Sequence, residues 1–315
     1  MQRENGFLNL DKYFEKLKRE NNLSDIDMFL DDYVVLSDYH NGQFWLKIND
    51  EHFYFKNTQD LYEELIVSEC ARYLGIPAVT YDLAIFERNE GVISKSYQKD
   101  NCEYVSGLQI LANYVNDRNN RVYLEQMGYS YDELMQLRKE LKAEYINTLE
   151  MIWQALEYRY KNSKLKINYE NIMYNLISQF CLNILIGQHD GFPQNWEIEE
   201  SKYEVNLVPY FDGGWAFRNF RNELPYQSMS VSSRDKGANN FQILETFLNV
   251  SSQEFISTFM LQFDKLNEEA FERIMEQVEA RIEKKIPSGT KQRILNSFVD
   301  NRNAILEVLA TRKMG

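Results

Sequence analysis

The chain has 315 residues, 44% of them apolar and 14% aromatic, which is enough apolar chain for one large domain or for two lobes around a cleft and argues against disorder. Its 48 acidic residues against 35 basic ones give a formal net charge of −13, which argues against a nucleic-acid binder, because phosphate contacts need a basic face. Three His and no Cys-x-x-Cys leave no zinc spacing, Cys70, Cys102 and Cys181 read as reduced core thiols, and a polar Met1-Gln2-Arg3-Glu4-Asn5 start without any apolar run of about 18 residues points to a cytoplasmic protein with no membrane span.

In chain order, residues 8–20 and 24–31 read as short helices, the second capped by Ser24, and define a helical extension over 1–32. The basic cluster Lys16-Leu17-Lys18-Arg19 lies among Glu residues and reads as a solvated face. Residues 33–37, 44–48 and 53–56 are strand-like runs separated by the turn signals Asn41-Gly42 and Asn49-Asp50. Residues 58–75 open on a cap candidate, Thr58, and close on Gly75, the pattern of an amphipathic helix. A strand pair follows at 77–86 and 91–97, with a lobe boundary near 98–101. Residues 33–100 thus read as a small β-rich lobe with one key helix, and 101–315 as a larger helical lobe. Ser130-Tyr131-Asp132-Glu133 is a capping box opening a helical stretch to about Tyr160. Asn168 caps the next helix, whose apolar positions Ile172, Leu176, Phe180 and Ile184 run to Gly187. Trp196 and Ile198, then Val205, Leu207 and Val208, mark two short strands. Residues 213–238 are polar and turn-rich, and residues 240–312 read as three or four helices with a break at Pro287-Ser288.

The chemistry concentrates in Asp190-Gly191-Phe192-Pro193-Gln194-Asn195 and, 22 residues after Asp190, in Asp212-Gly213-Gly214. A loop Asp can orient or deprotonate a hydroxyl, a nearby Asn can hold a metal, and a second Asp before glycines can hold the same metal against phosphates. Such an Asp-x₄-Asn pair is common by chance; the ordered triplet is more specific. Upstream, Phe53-Tyr54-Phe55-Lys56 ends a strand in a Lys, and the following helix offers Glu64, in phase with Ser68 and Ala71, or Glu63 as the alternative. A strand Lys paired with a helix Glu holds nucleotide phosphates in kinases. A surface Lys and a solvated Glu face would give the same local pattern; the position ahead of the Asp/Asn/Asp set favours the site. Lys47 is a competing phosphate Lys, but no helix follows its strand.

On these residues the chain resembles the HipA-like serine/threonine kinases: Phe55-Lys56, the helix from Glu64 to Leu74-Gly75-Ile76, the loop Asp190 to Asn195, and Val208-Pro209-Tyr210-Phe211-Asp212. The resemblance implies an α+β, bilobal protein-kinase-like fold that uses ATP and Mg²⁺ to phosphorylate a hydroxyl, in this family a protein Ser or Thr. It assigns Asp190 and Asn195 to catalysis, Asn195 and Asp212 to the metal, and Lys56 and Glu64 to the nucleotide, with Lys95 and Ser96 at the cleft edge before the hinge. Phe192 stands where the family usually has His, while His189 falls just before the Asp. Ser37-Asp38-Tyr39-His40-Asn41-Gly42, at the place of the glycine-rich phosphate loop, holds one Gly, so hydroxyl and amide donors would do more of the cradling. The segment 213–238 takes the place of an activation segment, with Arg218, Arg221, Ser228, Ser230, Ser232, Ser233 and Arg234 as its polar residues. The loop also resembles in part the aminoglycoside/choline phosphotransferases, which act on small molecules. A nucleotide-binding pseudokinase and an adenylyltransferase stay open as alternatives.

Overall fold

A computed structural model describes residues 3–24, 28, 34–38, 42–117, 120, 148–217, 229 and 240–312. The expected second helix at 24–31 (apart from Ser24 and Met28), the turn tip at 39–41, the capping box at 130–133 and the polar residues named above between 218 and 234 lie outside them.

The first lobe is a seven-stranded sheet. In chain order its strands are β1 (Arg3–Glu4), β2 (Phe7–Asn9), β3 (Val34–Asp38), β4 (Gln43–Ile48), β5 (Glu51–Asn57), β6 (Tyr81–Phe86) and β7 (Asn89–Lys95). They lie in the order β1-β2-β6-β7-β5-β4-β3. The strands expected from sequence are present, but the helical extension over 1–32 is corrected: α1 (Leu10–Asn21) follows two strands, and β2 pairs in parallel with β6. Those strands are too short to leave a period-2 signal, and only their partner reveals them.

Alternation decides what faces the cleft. On β4, Phe44, Leu46 and Ile48 are buried, and with Phe55, Phe86 and Ile93 they pack under Leu10 and Phe14 of α1. The parity of a strand then sends Gln43 and Trp45, and on β5 Tyr54 and Lys56, to the opposite face. That face meets α2 (Leu61–Leu74). Burying Phe55 completely is worth about 2 kcal/mol, so a one-residue slip that would turn Lys56 away is strongly disfavoured.

The second lobe holds α3 (Gly107–Asn116), α4 (Leu149–Tyr160), α5 (Tyr169–Ile186), α6 (Asn240–Val250), α7 (Gln253–Lys265), α8 (Glu268–Ile282) and α9 (Ser288–Arg312). Asn168 caps α5 by accepting from the Asn171 N–H, as its sequence position predicts. This lobe is not purely helical. A four-stranded sheet, β8 (Glu103–Ser106), β9 (Lys166–Ile167), β10 (Glu197–Glu200) and β11 (Glu204–Leu207), runs in the order β8-β10-β11-β9. The β10–β11 hairpin matches the two expected strands, whereas β8 and β9 are edge strands visible only through their partners. Among the described residues no helix is long and apolar enough to cross a membrane.

Candidate active site

Lys56 and α2 meet because both lie on one face of the first sheet. Lys56 Nζ donates to Glu64 Oε1 at 2.8 Å and to Asp212 Oδ1, and Glu64 is fully buried. The helix ambiguity is resolved by direction: Glu64 turns to the sheet, while Glu63 turns to the far side and pairs with Arg293 on α9. The second carboxylate oxygen of Glu64 accepts the Gly213 N–H at 2.8 Å. Gly213 and Gly214 pass so close to α2 that a Cβ on Gly213 would lie 2.5 Å from Val67 Cγ1, and one on Gly214 would lie 2.9 Å from Glu64 Oε1. The two glycines after Asp212 are therefore required for this approach.

Asp212 is fixed by its backbone. It has φ +61°, a left-handed conformation that Asp tolerates better than most residues. Its N–H donates to the Tyr81 hydroxyl at 3.2 Å and its carbonyl accepts from Gln188 Nε2 at 3.0 Å. Just before it, the Tyr210 N–H donates to the Pro77 carbonyl and the Val79 N–H to the Tyr210 carbonyl, which ties this segment to the first lobe. The Asp190 loop follows α5, which ends at Gly187, and closes in a 3-10 turn over Pro193–Asn195. Asn195 Nδ2 donates to the Asp190 carbonyl at 2.6 Å, so Oδ1 is the end of the amide left to act as a ligand. His189 is buried, and its backbone N–H donates to Gln188 Oε1 and to the Trp215 carbonyl.

Two cavities meet at these groups. The larger, about 260 Å³, lies between the lobes and is lined by Lys56, Tyr54, Tyr81, Phe211, Asp212 and Asn195, among others. The smaller, about 20 Å³, is lined by Asp190, Phe192, Asn195, Asp212 and Met229. Asn195, Phe211 and Asp212 border both, whereas Lys56 borders only the first and Asp190 only the second. Lys95 and Ser96 also line the larger cavity, at its rim. Lys95 is exposed and bonded to Glu51 at 2.5 Å, and the Ser96 N–H is committed to the His52 carbonyl at 2.8 Å. Sequence reasoning missed the aromatic lining. Tyr97 stacks on Phe211 with ring centroids 5.7 Å apart and donates its hydroxyl to Glu197 at 2.8 Å, and Trp45 packs on Tyr54 at 4.8 Å. The parity of Lys56 would have identified Tyr54 and Trp45; nothing local marks Phe211 or Glu197.

The charges are coupled. Burial opposes the charge on Lys56, but Glu64 and Asp212 outweigh it and raise its pKa well above the ordinary value. Burial pushes the Glu64 carboxyl up, with Asp212 adding to the effect, against the pull of Lys56 and the Gly213 N–H. Burial, then repulsion from Asp212, raises Asp190 from 3.8 to about 6, against Asn195 and Lys56. Asp190 is thus ionised at neutral pH yet poised to take a proton. Among the described residues no group of three or more His, Cys, Asp or Glu side chains could hold a metal. The donor set that is present, the Asp212 carboxylate with Asn195 Oδ1, suits Mg²⁺, which takes one or two protein oxygens and fills the rest of its shell with phosphate oxygens and water.

A sheet lobe whose strand Lys meets a helix Glu, joined to a second lobe carrying Asp-x₄-Asn and Asp-Gly loops at the cleft, is a protein-kinase-like fold. Two solved structures share this fold. The Helicobacter pylori proinflammatory kinase CtkA superposes with a TM-score of 0.61, covering 86% of this chain and 94% of that one, at 14% sequence identity. HipA of the Shewanella oneidensis MR-1 toxin–antitoxin system, solved with HipB and operator DNA, superposes with a TM-score of 0.58 over 94% of this chain and 70% of its own, at 12% identity. At these identities the likeness is one of fold. No protein-family model and no curated protein matches the sequence.

Proposed function

We propose that the chain is an ATP- and Mg²⁺-dependent phosphotransferase of HipA-like type that phosphorylates a Ser or Thr hydroxyl of a protein. The observation that carries this reading is the partition of the cleft: Asn195, Asp212 and the ring of Phe211 form the wall shared by a cavity that contains Lys56 and a cavity that contains Asp190. A phosphoryl group leaving the first for the second would pass the two metal-binding side chains. Mg-ATP, when bound, supplies the phosphoryl group and the positive charge that balances it. Lys56 binds phosphate oxygens, Glu64 and the Gly213 N–H hold Lys56 in line, and Asn195 and Asp212 hold the cation. Asp190 orients the acceptor hydroxyl and accepts its proton as the new P–O bond forms and ADP leaves. Tyr97, Phe211, Lys95 and Ser96 flank the base and sugar.

Among the described residues the acceptor-side cavity holds about 20 Å³, room for a hydroxyl tip, and the protein acceptor follows the HipA-like resemblance. Intact-mass spectrometry after incubation with Mg-ATP tests the function. The expected result is a phosphate-sized gain in the wild type and none in Asp190→Ala. An AMP-sized gain would assign adenylyl transfer instead, and no gain alongside retained Mg-ATP binding would make the chain a nucleotide-binding pseudokinase or a small-molecule kinase.

A further inference from the structure

The turn before β4 lacks the glycines that let a backbone wrap phosphates: residues 37–42 contain one, Gly42. That glycine is already committed. It has φ +60°, its carbonyl accepts the Asn57 N–H at 3.2 Å, and a Cβ there would lie 3.2 Å from Asn57 Cβ. Gly42 therefore fastens the turn to the end of β5.

The next residue supplies what the turn does not. Gln43 is the register partner of Lys56 across β4 and β5, and the burial of Phe44 puts it on the cleft face. It lines the larger cavity together with Lys56, Asn195 and Asp212. Its Oε1 accepts the Tyr54 hydroxyl at 2.5 Å, and Tyr54 is itself packed by Trp45. With its acceptor end held, the carboxamide turns its two N–H donors elsewhere. Phosphate oxygens only accept, so this is the polarity such a ligand needs. Lys56, in contrast, is already shared by two carboxylates.

We propose that the Gln43 carboxamide is a nucleotide-phosphate ligand, giving from a side chain the N–H donors that a glycine-rich loop gives from its backbone, and that Tyr54 is the positioning residue that aims it. This assignment rests on the kinase reading above. Its test is titration calorimetry of Mg-ATP, Mg-ADP and adenosine binding to the wild type, Gln43→Leu, Gln43→Glu and Tyr54→Phe. Gln43→Leu is expected to weaken ATP and ADP about 10-fold while adenosine stays within about twofold, which also shows that the pocket is folded. Gln43→Glu should weaken ATP further, because a carboxylate repels phosphate. Tyr54→Phe, which keeps Gln43 but frees its rotation, should cost ATP about threefold and adenosine nothing by the same reasoning; it carries the test should both Gln43 variants fail to fold. Equal losses for ATP and adenosine, or no loss for either, overturn the assignment and leave the kinase reading standing. A wild type that binds none of the three overturns both.

Discussion

Replacing Asp190 by Asn should abolish phosphoryl transfer and, at the same time, stabilise the folded chain by an amount that depends on pH. The isosteric amide keeps the loop, whose bond from Asn195 Nδ2 goes to the Asp190 backbone carbonyl. What it removes is a carboxyl that burial and Asp212 raise from 3.8 to about 6. A carboxyl raised on folding contributes stability that is fully present below its unfolded value and is lost as pH rises through its folded value. Between about pH 8 and about pH 5 the wild type should therefore gain roughly 1.4 kcal/mol relative to the Asn variant, and about 1 kcal/mol once partial solvent access is allowed. By thermal denaturation without ligand, Asp190→Asn should melt above the wild type near pH 8, with the gap narrowing by about 1.5 °C near pH 5. A gap that does not change with pH would show that the carboxyl is not held out of its ordinary range. The same titration should appear in transfer, whose rate should rise with pH through about 6 as the base ionises.

Asp212→Ala should eliminate the melting shift produced by Mg-ATP, whereas Asp190→Ala should retain it; a normal shift in Asp212→Ala would refute the metal assignment. In wild type, excess EDTA should remove the ATP-induced shift, because Lys56 lies between two carboxylates and cannot attract a bare polyphosphate; a shift that survives chelation would contradict this balance of charge. Gly213→Ala drives a Cβ into Val67 and should cost about 1–3 kcal/mol in chemical denaturation, part of it restored by adding Val67→Ala. Arg293→Ala leaves the buried Glu63 carboxylate unpaired and should destabilise by about 2 kcal/mol, discounted because the Arg is half exposed; a double-mutant cycle with Glu63→Ala showing no coupling would refute the pair.

The candidate site is legible where local pattern and chain order agree. Phe55 must be buried, so Lys56 must face the other way, and the small residues Ser68 and Ala71 mark the side of α2 that can approach a sheet. Ser68 Oγ does donate to the Val79 carbonyl there. The reading of α2 as amphipathic was too mild, however, since ten of its residues are buried, Glu63 and Glu64 among them. A helix covered on nearly all sides loses its polar face, and its charges then mark ion pairs and not solvent. What sequence could not supply is long-range pairing: β1 and β2 in the first sheet, β8 and β9 in the second, and the aromatic lining brought in by Phe211 and Tyr97.

Long-range pairing also sets how Glu64 is held. From behind, α2 is held by residues more than two hundred positions later: Arg293 on α9 bonds Glu63, and Arg281 on α8 forms an ion pair with Glu69 at 3.2 Å while donating to the Tyr81 carbonyl. From the front it is held by Lys56 and by the Gly213 N–H. A helix fastened on both sides by buried or half-buried charges cannot swing away without leaving several of them unpaired, each at a cost of about 1–3 kcal/mol. The Lys56–Glu64 pair therefore forms when the chain folds, and the C-terminal helices contribute to the site although none of their side chains faces either cavity's described lining.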